Sequence, residues 1–380
     1  MKAATFASRL VLMAAAFGLL AAWYAGSAAA DDEGGRGQQA VYTLTNQAAG
    51  NAVAVFDRSA DGSLTAAGEV PTGGLGSGGG LGNQGALALN DDRRFLFAVN
   101  AGSNDLSVLR IRPGGPTLVD RVGSGGVRPI SVTVSGNLLY ALNAGSGPAP
   151  GSISGFRIDP DGSLAAIPGS TRPLSAAAVG PAQIQFDPKG NALVVTEKAT
   201  NTISTYTVGR DGIASGPNAQ ASNGATPFGF AFDKRGHLIV SEAFGGTASA
   251  LSSYDVDRDG VLDAISPSVF AAQERASCWV VVTRNGKYAY TTNTASGSIS
   301  AYEIGHDGTL ALLDADGLTA VTGGAPIDAA LSRNSRFLYV LNASLNRIDA
   351  FRVESHGGLT PLPGAGVTGL PAGANGLVSV

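Results

Sequence analysis

The sequence predicts an all-β fold: a seven-bladed β-propeller of four-stranded blades whose C-terminal strand closes the first blade. Three observations predict it. One pattern recurs seven times along the chain, Asp-Gly or Gly-Gly turns recur at one place within it, and each end of the chain supplies the part of a blade that the other lacks.

The pattern reads apolar-Tyr-apolar, then Asn or Glu, a short polar loop, then Ile-Ser-x-Tyr/Phe, then Asp-Gly-x-Leu. Phe337-Leu-Tyr-Val-Leu-Asn342 shows its first part, Asn293-Thr-Ala-Ser-Gly-Ser-Ile-Ser-Ala-Tyr302 the loop and next strand, and Asp307-Gly-Thr-Leu310 the turn. With the Asn or Glu as marker, the units are placed by Asn46, Asn100, Asn143, Glu197, Glu242, Asn293 and Asn342. Their mean spacing, roughly 49 residues, is that of propeller blades. Asp61-Gly62, Asp161-Gly162, Asp211-Gly212, Asp259-Gly260 and Asp307-Gly308 close the outer hairpins, because Gly takes the positive φ that a tight turn requires. Gly114-Gly115 and Gly357-Gly358 serve in the second and last units. Pro129, Pro181, Pro227 and Pro326 open first strands, where a missing N–H costs least.

The ends fit this plan. Val41-Tyr-Thr-Leu-Thr-Asn46 reads as a second strand with no first strand before it. Pro371-Ala-Gly-Ala-Asn-Gly-Leu-Val-Ser-Val380 reads as a first strand with no unit after it. Pairing the two closes the ring and removes the exposed edges. The expected organisation is a signal peptide over 1–30, a flexible leader over 31–40 and the propeller over 41–380. The signal peptide rests on Lys2 and Arg9, the apolar run from Leu10 to Leu20, and Ala28-Ala29-Ala30 before Asp31. It implies a periplasmic or secreted protein with no membrane span after cleavage.

Composition excludes several classes. Only 14% of residues are charged while 44% are hydrophobic, which excludes a disordered chain. Without residues 1–30 the chain holds 23 bases against 29 acids and no basic stripe, so nucleic acid is not an expected partner. Cys278 is the only cysteine, so no intrachain disulfide forms. A monomer is expected.

The Tyr-Val-x-Asn runs, first-strand prolines and Asp-Gly-x-Leu turns resemble the seven-bladed propeller lactonase family, which includes bacterial 6-phosphogluconolactonase and fungal carboxymuconate cyclase. The resemblance covers nearly all of 40–380. It implies a lactone hydrolase without a cofactor, with its site at one mouth of the channel. The family's Pro-Arg-His stretch corresponds to Pro181-Ala182-Gln183 here, and its later Asn-Glu keeps the acid as Glu197. Ala182 and Gln183 stand where the family has Arg and His, and Asn293-Thr294 where it has Asn-Arg.

Glu197 and Glu242 replace the marker Asn in two adjacent blades. If both face one pocket, repulsion raises one pKa and leaves a general acid or base. Otherwise they bond loop backbone or pair with Lys198 and Arg275. The proposed chemistry is water attack on a lactone carbonyl, with Glu197 or Glu242 as base and Gln183, Asn293 and Arg275 orienting the ring or stabilising the oxyanion. Lys198, Trp279 and Asp328 complete the expected substrate-binding set. Trp279 is either a stacking platform or a channel plug, and Asp328 either a third acid or a loop cap. Cys278 reads as a packed small hydrophobe. His237, His306 and His356 fall at the rim, which excludes a His-built triad or metal site in the channel. Asp255-Val-Asp257-Arg-Asp259-Gly260, with Asp263, matches the start of a calcium loop, or is a hairpin with extra acids. The Gly-rich run 73–80 reads as a flexible loop between blades. The alternative to the enzyme is a non-catalytic propeller that binds a ligand or protein at its mouth.

Overall fold

The computed structural model describes residues 39–380. The expected signal peptide, and all but the last two residues of the expected leader, lie outside the described residues. The chain forms seven antiparallel sheets whose innermost strands touch one another in a closed cycle. Blade 1 consists of Ala40–Leu44, Ala52–Arg58 and Leu64–Pro71, completed on its inner edge by Asn375–Ser379. Tyr42 pairs with Val378 and Thr43 with Leu377, so the expected closure is present. The innermost strands of blades 2 to 7 are Leu87–Leu89, Pro129–Ser135, Pro181–Phe186, Pro227–Phe232, Ser277–Val282 and Pro326–Leu331.

Burial follows radial position. Second strands such as Phe95–Asn100 and Phe337–Asn342 are buried at every residue, because a neighbouring blade covers each face. Outer strands such as Thr117–Gly123 are mostly exposed. In blades 3, 6 and 7 the outer strand is split in two, as in Leu310–Leu312 and Ala320–Val321.

The outer hairpin turns lock each blade to the one before it. Tyr140 donates its hydroxyl to Gly212 O at 2.7 Å, Tyr290 to Gly357 O at 2.8 Å and Tyr339 to Gly62 O at 2.8 Å. Thr205 and Ser253 do the same for Gly260 and Gly308. The turn Asp accepts the backbone N–H two residues on, as Asp61 does from Ser63 and Asp307 from Thr309. The Gly has φ +92° at Gly62 and +84° at Gly308, and a Cβ there would lie 2.5 Å from Phe337 and 2.7 Å from His237. Glycine is thus required twice, for φ and for close approach.

Turns between first and second strands, together with the outer hairpin turns, lie on one face of the ring. The crossovers between blades and the marker residues lie on the other, called here the upper face.

Candidate functional site

Most marker residues hold the crossovers that lead into their blades. Asn46 donates Nδ2–H to Gly79 O and Gly373 O, Asn143 to Ser124 O, and Asn342 to Gly323 O at 2.6 Å. In blades 4 and 5 the crossover offers donors instead of carbonyls. The Glu197 carboxylate accepts from Ser175 N, Ser175 Oγ and Ser204 Oγ. Glu242 accepts from Gly224 N at 2.8 Å and Ser252 Oγ at 2.6 Å. A carboxylate, which only accepts, fits such a crossover; an amide fits one that presents carbonyls. That is the physical reason for the Asn-to-Glu exchange. Both carboxylates are fully buried and share no hydrogen-bond partner, and each turns into its own crossover. Burial raises the Glu242 pKa, while the donors of Ser252, Ser268 and Gly224 oppose the shift. Asn293 differs: its Nδ2 donates to Ser298 and Ser300 on the third strand of its own blade.

The crossover from blade 1 to blade 2 runs over the channel mouth. The sequence suggests a flexible loop over 73–80 and no role for 81–85; the structure places 81–85 inside the mouth. Gln84 donates from N to Ala182 O of blade 4. Its side chain makes a two-point pair with blade 6, accepting from Val280 N at 3.0 Å and donating to Val280 O at 2.8 Å. Asn83 donates to Ile130 O of blade 3 and accepts from Trp279 Nε1 at 2.7 Å. A Cβ at Gly229 would collide with Gln84 Oε1, so blade 5 must be bare there for the segment to pass. A signal in the sequence could have shown this. The crossover 72–86 is far longer than those into blades 3, 5, 6 and 7, and its Leu-Gly-Asn-Gln-Gly stands where four other blades place Pro.

Beside this segment sit two of the predicted residues. Trp279 packs on Phe228 with ring centroids 4.9 Å apart and is 4% exposed, so it acts as part of the plug. The Lys198 ammonium lies 4.5 Å from the Phe228 centroid and donates to Gly82 O. Desolvation lowers its pKa to about 8, with a smaller push from Arg128. Arg275 is exposed on the crossover into blade 6. Among the described residues, Lys198, Arg128 and Arg275 form no ion pair with a carboxylate, which leaves the upper mouth cationic on an acidic chain. Arg128 carries no signal in sequence, because its role depends on a neighbour from another blade. Burial pushes the Cys278 thiol up to about 11, which fits a packed side chain.

Below Gln84 lies an axial cavity of about 270 Å³ whose lining includes Gln183 and Asp328. Gln183 bridges to blade 5, accepting from Phe230 N at 2.7 Å and donating to Phe230 O at 2.9 Å. Asp328 accepts from Ala329 N, with the Leu377 N–H as a second donor, and so caps the join between blades 7 and 1. Burial holds its carboxyl well above the ordinary carboxylate range. The structure therefore brings Lys198 and Trp279 together at the mouth and Gln183 and Asp328 below it. Glu197 and Glu242 stay in their crossovers, and Asn293 bonds the third strand of its own blade.

The four aspartates of the calcium pattern do not converge. Asp257 Oδ1 accepts from Asp259 N and Val261 N at 2.8 Å each, the Asp255 side chain is exposed, and Asp263 faces Asp255 across the hairpin. Among the described residues no group of three His, Cys, Asp or Glu side chains is arranged to hold a metal ion. His237 bonds Asp233 in the lower-face turn between the first and second strands of blade 5.

Fold and mouth together define a propeller with a stoppered channel and a cationic upper face. The profile of the family described as "Lactonase, 7-bladed beta-propeller" matches residues 36–166, 151–266 and 248–369, and the chain belongs to that family. No curated protein matches the sequence. Among solved structures, a Lactobacillus plantarum protein superposes with a TM-score of 0.73 at 17% identity, covering 90% of this chain and 99% of its own. A Bacteroides fragilis protein provisionally assigned as a 6-phosphogluconolactonase gives 0.70 at 20% identity, with 90% and 98% covered. The periplasmic gluconolactonase of Pseudomonas aeruginosa gives 0.67 at 18% identity, with 88% and 98% covered. At these identities the likeness establishes the fold. Among the described residues no helix is long and apolar enough to cross a membrane.

Proposed function

We propose that this protein hydrolyses a small lactone at the upper mouth of the channel, outside the cytoplasm. The observation that carries the reading is Lys198, a desolvated ammonium with a backbone carbonyl as its hydrogen-bond partner and no carboxylate to neutralise it, on a propeller of the lactonase family. An ammonium has three N–H donors, and Gly82 O takes one. A lactone at the mouth presents its carbonyl oxygen to the others. Water attack gathers negative charge on that oxygen, so Lys198 holds the transition state more tightly than the ground state. The attacking water releases its proton to the open solvent. The ring-opened product is a hydroxy carboxylate, which Arg128 and Arg275 attract. Glu197 and Glu242 serve as positioning residues through the crossovers they hold. The basic, apolar and small-residue order of residues 1–30 supports export, as does the periplasmic setting stated for the Pseudomonas relative.

The seated 81–85 segment, with Ala182 and Gln183 in place of the family's Arg and His, favours a second reading: a propeller that binds at the same mouth without turnover. Acid release in a pH-stat from sugar, aryl and acyl-homoserine lactones separates the two. Release above the buffer rate, lowered in Lys198→Met, supports the hydrolase. No release from a cooperatively melting protein supports the binding propeller.

A further inference from the structure

The lower face carries a second cavity, at the opposite end of the channel from Lys198. It measures about 340 Å³ and is lined by Arg93 of blade 2, Arg284 of blade 6, and Ser332, Arg333 and Ser335 of blade 7, with Asp91 as the one carboxylate. These residues come from turns between first and second strands, set just beyond Val282 and Leu331 at the ends of two innermost strands. Local sequence does not bring them together; ring closure does.

Three features give the cavity a sign. Arg284 and Arg333 form no ion pair among the described residues. Their turns are fixed to each other, since Arg284 N donates to Ser335 Oγ at 2.9 Å, so the two guanidinium stems start from a rigid base. The carboxylate on the wall is turned partly away, with Asp91 Oδ2 accepting from Gly136 N of blade 3. The surroundings add to this. The turns 90–94, 187–190, 233–236, 283–287 and 332–336 carry nine cations against four carboxylates, on a chain whose net charge is −4. Two of those four are engaged by cations of their own turns, Asp92 by Arg94 and Asp233 by Arg235. The acidic outer hairpin turns lie outside this basic centre and on the same face.

We propose that this lower cavity is a binding site for a small multivalent oxyanion, a phosphate ester or a polycarboxylate. Guanidinium forks match the paired oxygens of both groups, and two forks from adjacent blades select for more than one charge. The volume suits a ligand of that size. The site lies on the face opposite the proposed lactone site and stands or falls independently of that reading.

The test is isothermal titration of the purified protein with inorganic phosphate and, separately, with citrate, at low ionic strength where charge contacts are least screened. Saturable binding of at least one of them, at one ligand per chain, is expected. It should weaken by roughly tenfold or more in the Arg284→Gln/Arg333→Gln double variant, the loss of charge-assisted hydrogen bonds. Both arginines are exposed, so the variant should keep the parent's melting temperature, and Lys198→Met should bind as the parent does. Saturation by phosphate alone identifies a phosphoryl ligand, and by citrate alone a polycarboxylate. The proposal is overturned if neither anion saturates, if the double variant binds as tightly as the parent, or if Lys198→Met abolishes binding, which would move the anion to the upper mouth.

Discussion

Lys198 is the residue on which the functional reading turns, and its surroundings set its behaviour. Against Phe228 and under 81–85 it loses water that no carboxylate replaces, so its pKa falls to about 8. Removing the ammonium removes one oxyanion donor, and Lys198→Met should lower kcat by about 10²–10³. Glu242 differs. Its raised pKa means the folded state binds a proton more readily than the unfolded chain. The stability this gives is present in full below the unfolded carboxylate value, and is lost as pH rises through the higher folded value. Glu242→Gln keeps an acceptor for Gly224 N and does not titrate. Thermal melts between pH 4 and 8 should therefore show the parent losing stability with rising pH relative to the variant, with turnover within a few-fold of the parent. A collapse of turnover in Glu242→Gln at unchanged melting temperature would restore the carboxylate as the base.

At the scale of the element, the hairpin turns and the crossovers decide how the blades meet. Tyr339 ties blade 7 to the turn of blade 1, which is also where the chain closes. Tyr339→Phe leaves the packing and deletes one buried hydrogen bond, so it should cost about 1 kcal/mol, read as a lower denaturant midpoint at unchanged m. Gly62→Ala meets both a positive φ and the Phe337 ring, and should cost more than Tyr339→Phe in the same assay. These turns are legible in sequence because Asp-Gly is a local signal with a local cause. The crossovers are not. Whether a marker needs to accept or to donate depends on what a loop of another part of the chain presents, as Ser175 does to Glu197. The same limit hides the 81–85 segment. Its Gly-rich lead reads as slack, yet Asn83 and Gln84 find partners in blades 3, 4 and 6, more than forty residues away.

For the whole molecule, the count of blades and the closure by Asn375–Ser379 follow from period and from the complementary ends, since a ring leaves no edge to expose. Period does not supply which side chains meet at the axis, because seven blades contribute one or two residues each. The sequence points Gln183 at a ligand and leaves Asp328 as either a third acid or a cap; the structure gives both of them bonds to the next blade's backbone, to Phe230 and Leu377. Trp279 forms a wall of the stopper through Asn83. The ring thus separates two cationic ends, with the seated Gln84 between them. If the Lys198 ammonium at the upper end activates a lactone carbonyl, hydrolysis must follow its titration. The buffer-corrected rate of lactone hydrolysis should be measured from pH 6 to about 10 for the parent and for Lys198→Met. The parent rate should fall as pH rises through about 8, where the ammonium is lost, and the variant should be slow and flat across that range. A variant with the parent's rate and the parent's profile would contradict a role for Lys198 in the reaction.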